Sequence, residues 1–418
     1  MTIPSGSDTI QELTVEELRA KVGTGMAIED AEEHMLLSMG PQHPSTHGVL
    51  RLLVELDGEN IVNLAPDIGF LHTGVEKSME SKTYTKALVM TDRLDYLSPM
   101  SNNLGYILAV EKLLGVDVTP RAQVIRVILT ELARIASHLV WLGTHALDLA
   151  AMSVFLYCFR EREYILDLFE MVAGQRMMVS YFRPGGLWRD VPEEFEPAVR
   201  QFLDFFPAKI ADYEALLKNN PIWLDRTKGI GVVTAEQAMD WGMTGPCLRG
   251  SGVNWDIRKA QPYSGYETYE FDVPVRTDGD VYARYRCRIQ EMWESLGIIR
   301  QAMDKLPSGP VNIDDRKIVP PPRSELGHSM EAVIHHFKLW TEGFSAPEGY
   351  VYQSVESPRG EFGCYLRGDG GPKPARVHFR TPSYVHVASL PIMSKGVFVA
   401  DLVSIIGSID IVLGEIDR

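Results

Sequence analysis

The segment Gly40-Pro41-Gln42-His43-Pro44-Ser45-Thr46-His47-Gly48 constrains the chain more tightly than any other. Its two histidines have the spacing that, on a helix, puts both rings on one face as a metal pair. The prolines remove that option: each lacks an N–H, and Pro44 pushes His43 toward an extended backbone. Gly48 permits a sharp turn into Val49-Leu50. A rigid loop between strands is expected, holding imidazoles at its tip for something to approach. Either histidine alone would suit an incidental surface turn. The prolines and glycines around both favour a shaped loop.

On either side of this loop the pattern is that of a small sheet. Met35 to Met39 reads as a strand, and Leu50, Leu52, Val54 and Leu56 alternate with outward positions. Asp57-Gly58 is a two-residue hairpin signal, with Ile61 to Leu64 returning as its partner. From Lys77 the pattern is helical: Ala87 to Tyr96, then Tyr106 to Leu114 after the breakers of Ser98 to Asn103. Thr119-Pro120 is an N-cap followed by proline at the first helical position. Ile125, Ile128, Leu132, Ile135, Leu139 and Leu142 then form one apolar stripe. Further helices are expected at Val154 to Met171, Glu194 to Lys218, Tyr282 to Leu306, Met330 to Trp340 and Val397 to Ser408. Strands are expected at Val351 to Val355, Phe362 to Leu366 and Val377 to Phe379, with a turn at Gly368 to Gly371. The fold class is α/β in the α+β sense. Its expected divisions are a flexible arm (1–33), a β unit with the His loop (34–76), a helical bundle (77–317) and a mixed C-terminal part (318–418) whose tail tucks into the site.

Composition excludes several function classes. A net charge of −15 argues against gripping phosphate backbones or anionic lipid. Cys158, Cys247, Cys287 and Cys364 are far apart and form no Cys-x-x-Cys, so local thiolate pairs can build neither an iron–sulfur cluster nor a zinc ribbon. That usage fits a reducing compartment. Met1 to Glu33 is polar and acid-rich, unlike a signal peptide. Leu147 to Phe159 is too short to cross a bilayer. Leu248 to Lys259 is basic and glycine-containing; it reads equally as a solvated loop or as a contact with a charged group or partner.

The His loop, Thr91-Asp92-Arg93-Leu94-Asp95-Tyr96, Thr144-His145-Ala146-Leu147-Asp148, Arg183-Pro184-Gly185-Gly186, Leu248 to Tyr263 and the ending Asp410 to Arg418 together resemble one family. It is the family of the 49-kDa subunit, also called the D subunit, of respiratory NADH–quinone oxidoreductase (complex I), related to the nickel–iron hydrogenase large subunit. The likeness runs from about Met35 to the C-terminus. Where the hydrogenases carry two Cys-x-x-Cys pairs, this chain has Asp95 with Ser98, and Val412 with Glu415, so no thiolate metal site is expected.

The resemblance implies a quinone headgroup site, for ubiquinone or menaquinone, where those metals stood. Tyr96 and His47 would hold the quinone carbonyls, and Asp148 would pair with His47. By itself Tyr96 reads as a core tyrosine and Asp148 as a helix-end residue. The resemblance further implies a 4Fe-4S cluster in a partner, the B subunit, with Arg93, Arg183 and Met178 near it; relatives commonly have histidine at the Met178 position. It implies further partners in the C and I subunits and the membrane-embedded H subunit, proton pumping by the complex, and a peripheral place on the cytoplasmic face of the inner membrane. Two alternatives stay open: the equivalent subunit of a ferredoxin-fed quinone reductase, and a scaffold without a site of its own.

Overall fold

The computed structural model describes residues 34–418; the expected arm, 1–33, lies outside them. The His loop joins the first two strands of an antiparallel sheet made of Met35–Met39, Arg51–Asp57 and Asn60–Asp67. Leu50, Leu52, Val54, Leu56, Ile61 and Leu64 are buried, as their alternation predicts. The hairpin turn is Gly58-Glu59, one residue later than expected, because Asp57 still pairs with Asn60 and Gly58 supplies the left-handed backbone. A bulge at Glu55/Leu56 turns Glu55 inward, where His34 Nδ1 lies 3.0 Å from its carboxylate.

The helices beyond Val75 follow the expected order, with two boundary corrections. The helix expected to reach Tyr96 runs Tyr84–Thr91 and stops before Asp92. The next begins at Pro99 and takes in Ser101 to Asn103, which the sequence pattern marks as breakers. Their polar side chains find partners inward: Ser98 and Ser101 hydroxyls lie 2.8 Å apart, and Asn103 donates to Asp92 at 2.7 Å. Tertiary partners thus outweigh a local preference for turns.

Helix Pro120–Asp148, 29 residues long, is the axis of the bundle. Thr119 and Pro120 open it as expected, although the Thr119 hydroxyl makes no capping bond. It packs against Met152–Ala173, Val281–Asp304 and Val399–Ile409. The second sheet, Gly349–Ser357, Gly360–Gly368 and Arg376–Arg380, lies on helix Pro99–Leu114. Gly105 is needed there, since a Cβ would stand 2.7 Å from the Phe362 ring.

Segment 318–418 divides in space. Its sheet joins the bundle's core, while its helices from Pro382 onward join the N-terminal sheet in a second core. That second junction is also hydrogen-bonded: Ile61 N–H donates to Val397 O at 2.9 Å, and Gly396 N–H to Ile61 O at 2.7 Å.

The arginines of the basic loop point inward, to charged groups of the chain itself. Arg249 donates to Glu356 at 2.8 Å and to Glu291 at 2.6 Å. Arg258 holds Asp256 at 2.7 Å and Glu131 at 3.1 Å, and Arg134 holds Glu131 at 3.1 Å. His138 completes the network on Glu291 at 2.9 Å. All of these side chains are buried, so none faces a partner. Charges this deep persist because each finds an opposite charge and further donors. Arg249→Met is expected to lower stability by about 3–5 kcal/mol, because Glu291 and Glu356 lose their partner. Lys259→Ala, on the exposed end of the same loop, should change it by less than about 0.5 kcal/mol. Urea unfolding followed by tryptophan fluorescence separates the two.

Candidate functional site

The His loop closes on itself. Pro44–Thr46 forms a short 3₁₀ turn, the Thr46 hydroxyl bonds to Pro41 O and His43 O at 3.2 and 3.0 Å, and Leu50 N–H donates to Thr46 O at 3.1 Å. Gly40 has φ +88°, and a Cβ there would meet Leu50 O at 2.2 Å, so the loop's neck needs glycine. His43 is extended, as Pro44 requires, and its Nδ1 accepts the Ser45 N–H at 3.2 Å. It braces the turn. His47 ends the turn in the left-handed region with φ 55°. The residue is exposed at the surface although protein surrounds its ring on most sides. Burial, and then the positive charge of Arg359, hold its pKa below the ordinary value, at about 4.

Arg359 is the centre of the arrangement. It sits in the turn between the first two strands of the second sheet and is fully buried. It donates to Asp95 Oδ2 at 2.6 Å, to Asp410 Oδ1 at 3.1 Å and to Asp410 O at 2.7 Å. Burial raises the pKa of both carboxyls, and Arg359 opposes the rise. Tyr96, next to Asp95, is half-buried; burial raises its pKa, with Arg359 opposing and Asp95 and Glu415 adding to the rise. One cation therefore acts on both the tyrosine and the loop histidine.

The C-terminal tail forms the far wall. Gly414 lies against the backbone of Arg93 and Leu94, where a Cβ would stand 2.7 Å from each carbonyl oxygen. The Asp417 carboxylate accepts the N–H groups of Gly69 and Leu71 at 2.8 and 2.6 Å. Asp95 and Glu415 both lie within the influence of Arg359, while Ser98 turns to Ser101.

Sequence reasoning missed Arg359. Pro358-Arg359-Gly360 between two strand patterns marks a hairpin turn, and a turn arginine normally reads as solvated. Only the approach of Asp95 and Asp410 makes it a core residue.

Asp148, the last residue of the long helix, is half-buried and its carboxyl pKa is raised by burial. The imidazole whose charge bears on it is that of His43. No hydrogen bond or ion pair among the described residues joins it to His47, so the expected pairing is not made. Thr144 bonds back to Val140 O at 2.9 Å and plays no capping role there.

Of the other expected residues, Arg183 reaches the Asp92–Ser98 segment by way of Ser180. The Asp92 carboxylate accepts the Ser180 hydroxyl, and Arg183 donates to Ser180 O. Met178 and Ser180 both have positive φ, 54° and 39°, a conformation that non-glycine residues adopt at a cost. Arg93 is exposed and donates to Val89 O at 2.7 Å. His145 is buried between Trp141 and Trp223.

Chemically, a phenol, an imidazole and three carboxyls lie under the influence of one buried guanidinium. Among the described residues no group of three or more His, Cys, Asp or Glu side chains is arranged to hold a metal ion.

Residues 148–418, well over half of the chain, match the family described as respiratory-chain NADH dehydrogenase, 49 kDa subunit. The chain is 62% identical over 393 residues to the D 1 subunit of NADH-quinone oxidoreductase from Herpetosiphon aurantiacus, covering 93% of each. It is 63% identical over 398 residues to the D 1 subunit from Roseiflexus castenholzii, covering 94% of this chain and 95% of that one. Over 386 residues it is 60% identical to the D subunit from Geotalea uraniireducens, covering 92% and 99%.

Burial also lowers the pKa of His138 to about 4 and of His145 and His386 to about 3. Each is neutral in the fold and regains an ordinary pKa of about 6.5 on unfolding. The unfolded chain therefore binds more protons between about pH 4 and 6.5, and stability should rise with pH through that window. Urea midpoints measured at pH 5 and pH 7 check this: the lower value is expected at pH 5.

Proposed function

Because the chain belongs to the 49-kDa subunit family of the respiratory-chain NADH dehydrogenases, and so is a subunit of an NADH–quinone oxidoreductase, we propose that it takes a quinone headgroup between Tyr96 and His47. The observation that carries this reading is the shared influence of Arg359 on two proton-bearing side chains of different strength, one of them on a residue exposed at the surface. Two-electron reduction of a quinone, ubiquinone or menaquinone, puts negative charge on both carbonyl oxygens, and each then needs a donor and a proton. Tyr96 Oη serves one oxygen and the His47 ring the other. His47 is neutral before reduction and offers an N–H; the anion beside it raises its proton affinity. Arg359 stabilises the negative charge at either end without giving up its own proton. Asp148 acts as a positioning residue, holding the loop through His43.

The electrons come from a 4Fe-4S cluster in the B subunit, with Arg93, Arg183 and Met178 on the side of the chain that faces it. The C and I subunits add peripheral contacts, and the membrane-embedded H subunit closes the quinone's approach. The complex pumps protons, and this chain sits peripherally on the cytoplasmic face of the inner membrane. No helix among the described residues is long and apolar enough to cross a membrane.

Tyr96→Phe keeps the ring and removes the donor, while Tyr96→Trp fills the headgroup's place. Both should lower NADH-to-quinone turnover by about a hundredfold or more and leave NADH-to-ferricyanide electron flow intact. Normal turnover of Tyr96→Phe with a short-chain quinone would remove Tyr96 from the site.

Met178 stands where relatives carry a titratable ring, and methionine does not titrate. The midpoint of the neighbouring cluster is therefore expected to vary little between about pH 6 and 8. Met178→His should introduce a slope of up to about 59 mV per pH unit. Redox titration of the cluster's EPR signal at several pH values measures both; a slope near that limit in the unaltered protein would contradict the assignment.

A further inference from the structure

Helix Val399–Ile409 runs into Asp410, and its last carbonyls have no partner within the helix. Side chains of the bundle take them. Trp141, on the long helix, donates its Nε1–H to Gly407 O at 2.7 Å, and Arg288, on helix Val281–Asp304, donates to Ser408 O at 2.7 Å. Arg284, one helical turn before Arg288, donates to the Ser408 hydroxyl at 3.0 Å and to the carbonyls of Gly279 and Gly231 at 3.0 and 2.9 Å. The Arg288 guanidinium lies over the Trp141 ring, 4.5 Å from its centre. All three side chains are buried. The helix end is pressed close, since a Cβ at Gly407 would stand 2.6 Å from the His145 ring.

Direct bonds pass this hold onward. Asp410 has φ 50°, a left-handed backbone that a non-glycine residue keeps only where its surroundings fix it. Arg359 takes its carbonyl at 2.7 Å and its carboxylate at 3.1 Å, and holds Asp95 Oδ2 at 2.6 Å. The other oxygen, Asp95 Oδ1, accepts the N–H groups of Leu97 and Ser98 at 3.1 and 3.3 Å, closing a turn around Tyr96. Contacts therefore run without a gap from Trp141 and Arg288, through residues 407–410, Arg359 and Asp95, to the backbone that carries Tyr96. Among the described residues neither Arg284 nor Arg288 has a carboxylate as hydrogen-bond partner. Their charges are set against the negative end of a helix dipole instead of an acid.

We propose that Trp141 and Arg288 are positioning residues for quinone reduction. They fix the end of helix Val399–Ile409, and through Asp410, Arg359 and the Asp95 turn they hold Tyr96 against the headgroup. This rests on the placing of the quinone at Tyr96. A donor misplaced by about 1 Å can cost about a hundredfold in rate. The loss falls on kcat more than on KM, because the bond to the donor strengthens as charge develops on the quinone oxygen.

The test uses the intact complex in membranes. Trp141→Phe keeps an aromatic ring beneath Arg288 and removes only the donor to Gly407 O. Arg288→Gln removes the charge and the guanidinium fork. Both should lower the kcat of NADH-to-quinone turnover, Arg288→Gln by about tenfold or more, with little change in KM and with ferricyanide reduction unchanged. Arg288→Lys, which keeps a charged donor, should recover most of the rate. Hydrogen exchange reads position directly: the amides of Leu97 and Ser98 should exchange faster in both variants, while those of Arg51–Asp57 stay as they were. A contact that only stabilised the fold would quicken exchange near residues 405–412 alone. Unchanged exchange at Leu97 and Ser98 overturns the proposal, and Trp141→Phe supplies that measurement even if Arg288→Gln fails to assemble. A normal kcat in Trp141→Phe and Arg288→Gln overturns it as well. Tyr96→Phe, run in parallel, separates the two readings: if it is impaired while the other two are normal, only the positioning role fails; if Tyr96→Phe is itself normal, the headgroup site fails.

Discussion

Arg359 has its guanidinium between the carboxylates of Asp95 and Asp410, and those three residues come from segments more than forty residues apart. The ion pairs tie the strand turn, the Asp92–Ser98 segment and the tail into one wall. A guanidinium buried this fully is tolerated only while its hydrogen-bond partners are in place, and the two carboxylates need it equally. After burial, its charge bears on each of Tyr96, His47 and Glu415. A buried fixed positive charge of this kind favours an anion beside it over a metal cation.

A second buried charge system lies deeper, where Arg249, Arg258 and Arg134 meet Glu131, Asp256, Glu291 and Glu356. It links the long helix, the loop Leu248 to Lys259, helix Val281–Asp304 and the second sheet. The two systems meet on one strand: Glu356 is the penultimate residue of Gly349–Ser357, and Arg359 follows in its turn. A shift of that turn would therefore be resisted from both sides, and the candidate site is held by paired charges as well as by the apolar cores around it.

Much of the architecture was legible. The alternation of Leu50 to Leu56 located a strand, the stripe from Ile125 to Leu142 located the axis of the bundle, and Thr119-Pro120 its start. These signals are periodic and local, and burial of one face is enough to enforce them. Where the expectations missed, a distant partner had intervened. Ser101 to Asn103 became helical because Thr91, Asp92 and Ser98 were there to take their side chains. Arg249 and Arg258 turned inward because Glu131, Glu291 and Glu356 from other elements awaited them.

For the site, the sequence by itself determined the stiff loop carrying His43 and His47, the loss of paired thiolates, and, through resemblance, the pairing of Tyr96 with His47 as candidates. Those properties belong to single segments, where proline geometry and residue identity suffice. Only the tertiary structure decided that Arg359 is the central charge, that Asp148 faces His43, and that Trp141 and Arg288 cap the helix leading to Asp410. Burial and electrostatic neighbours are properties of packing between segments far apart in the chain, and no local pattern encodes which charge will meet which.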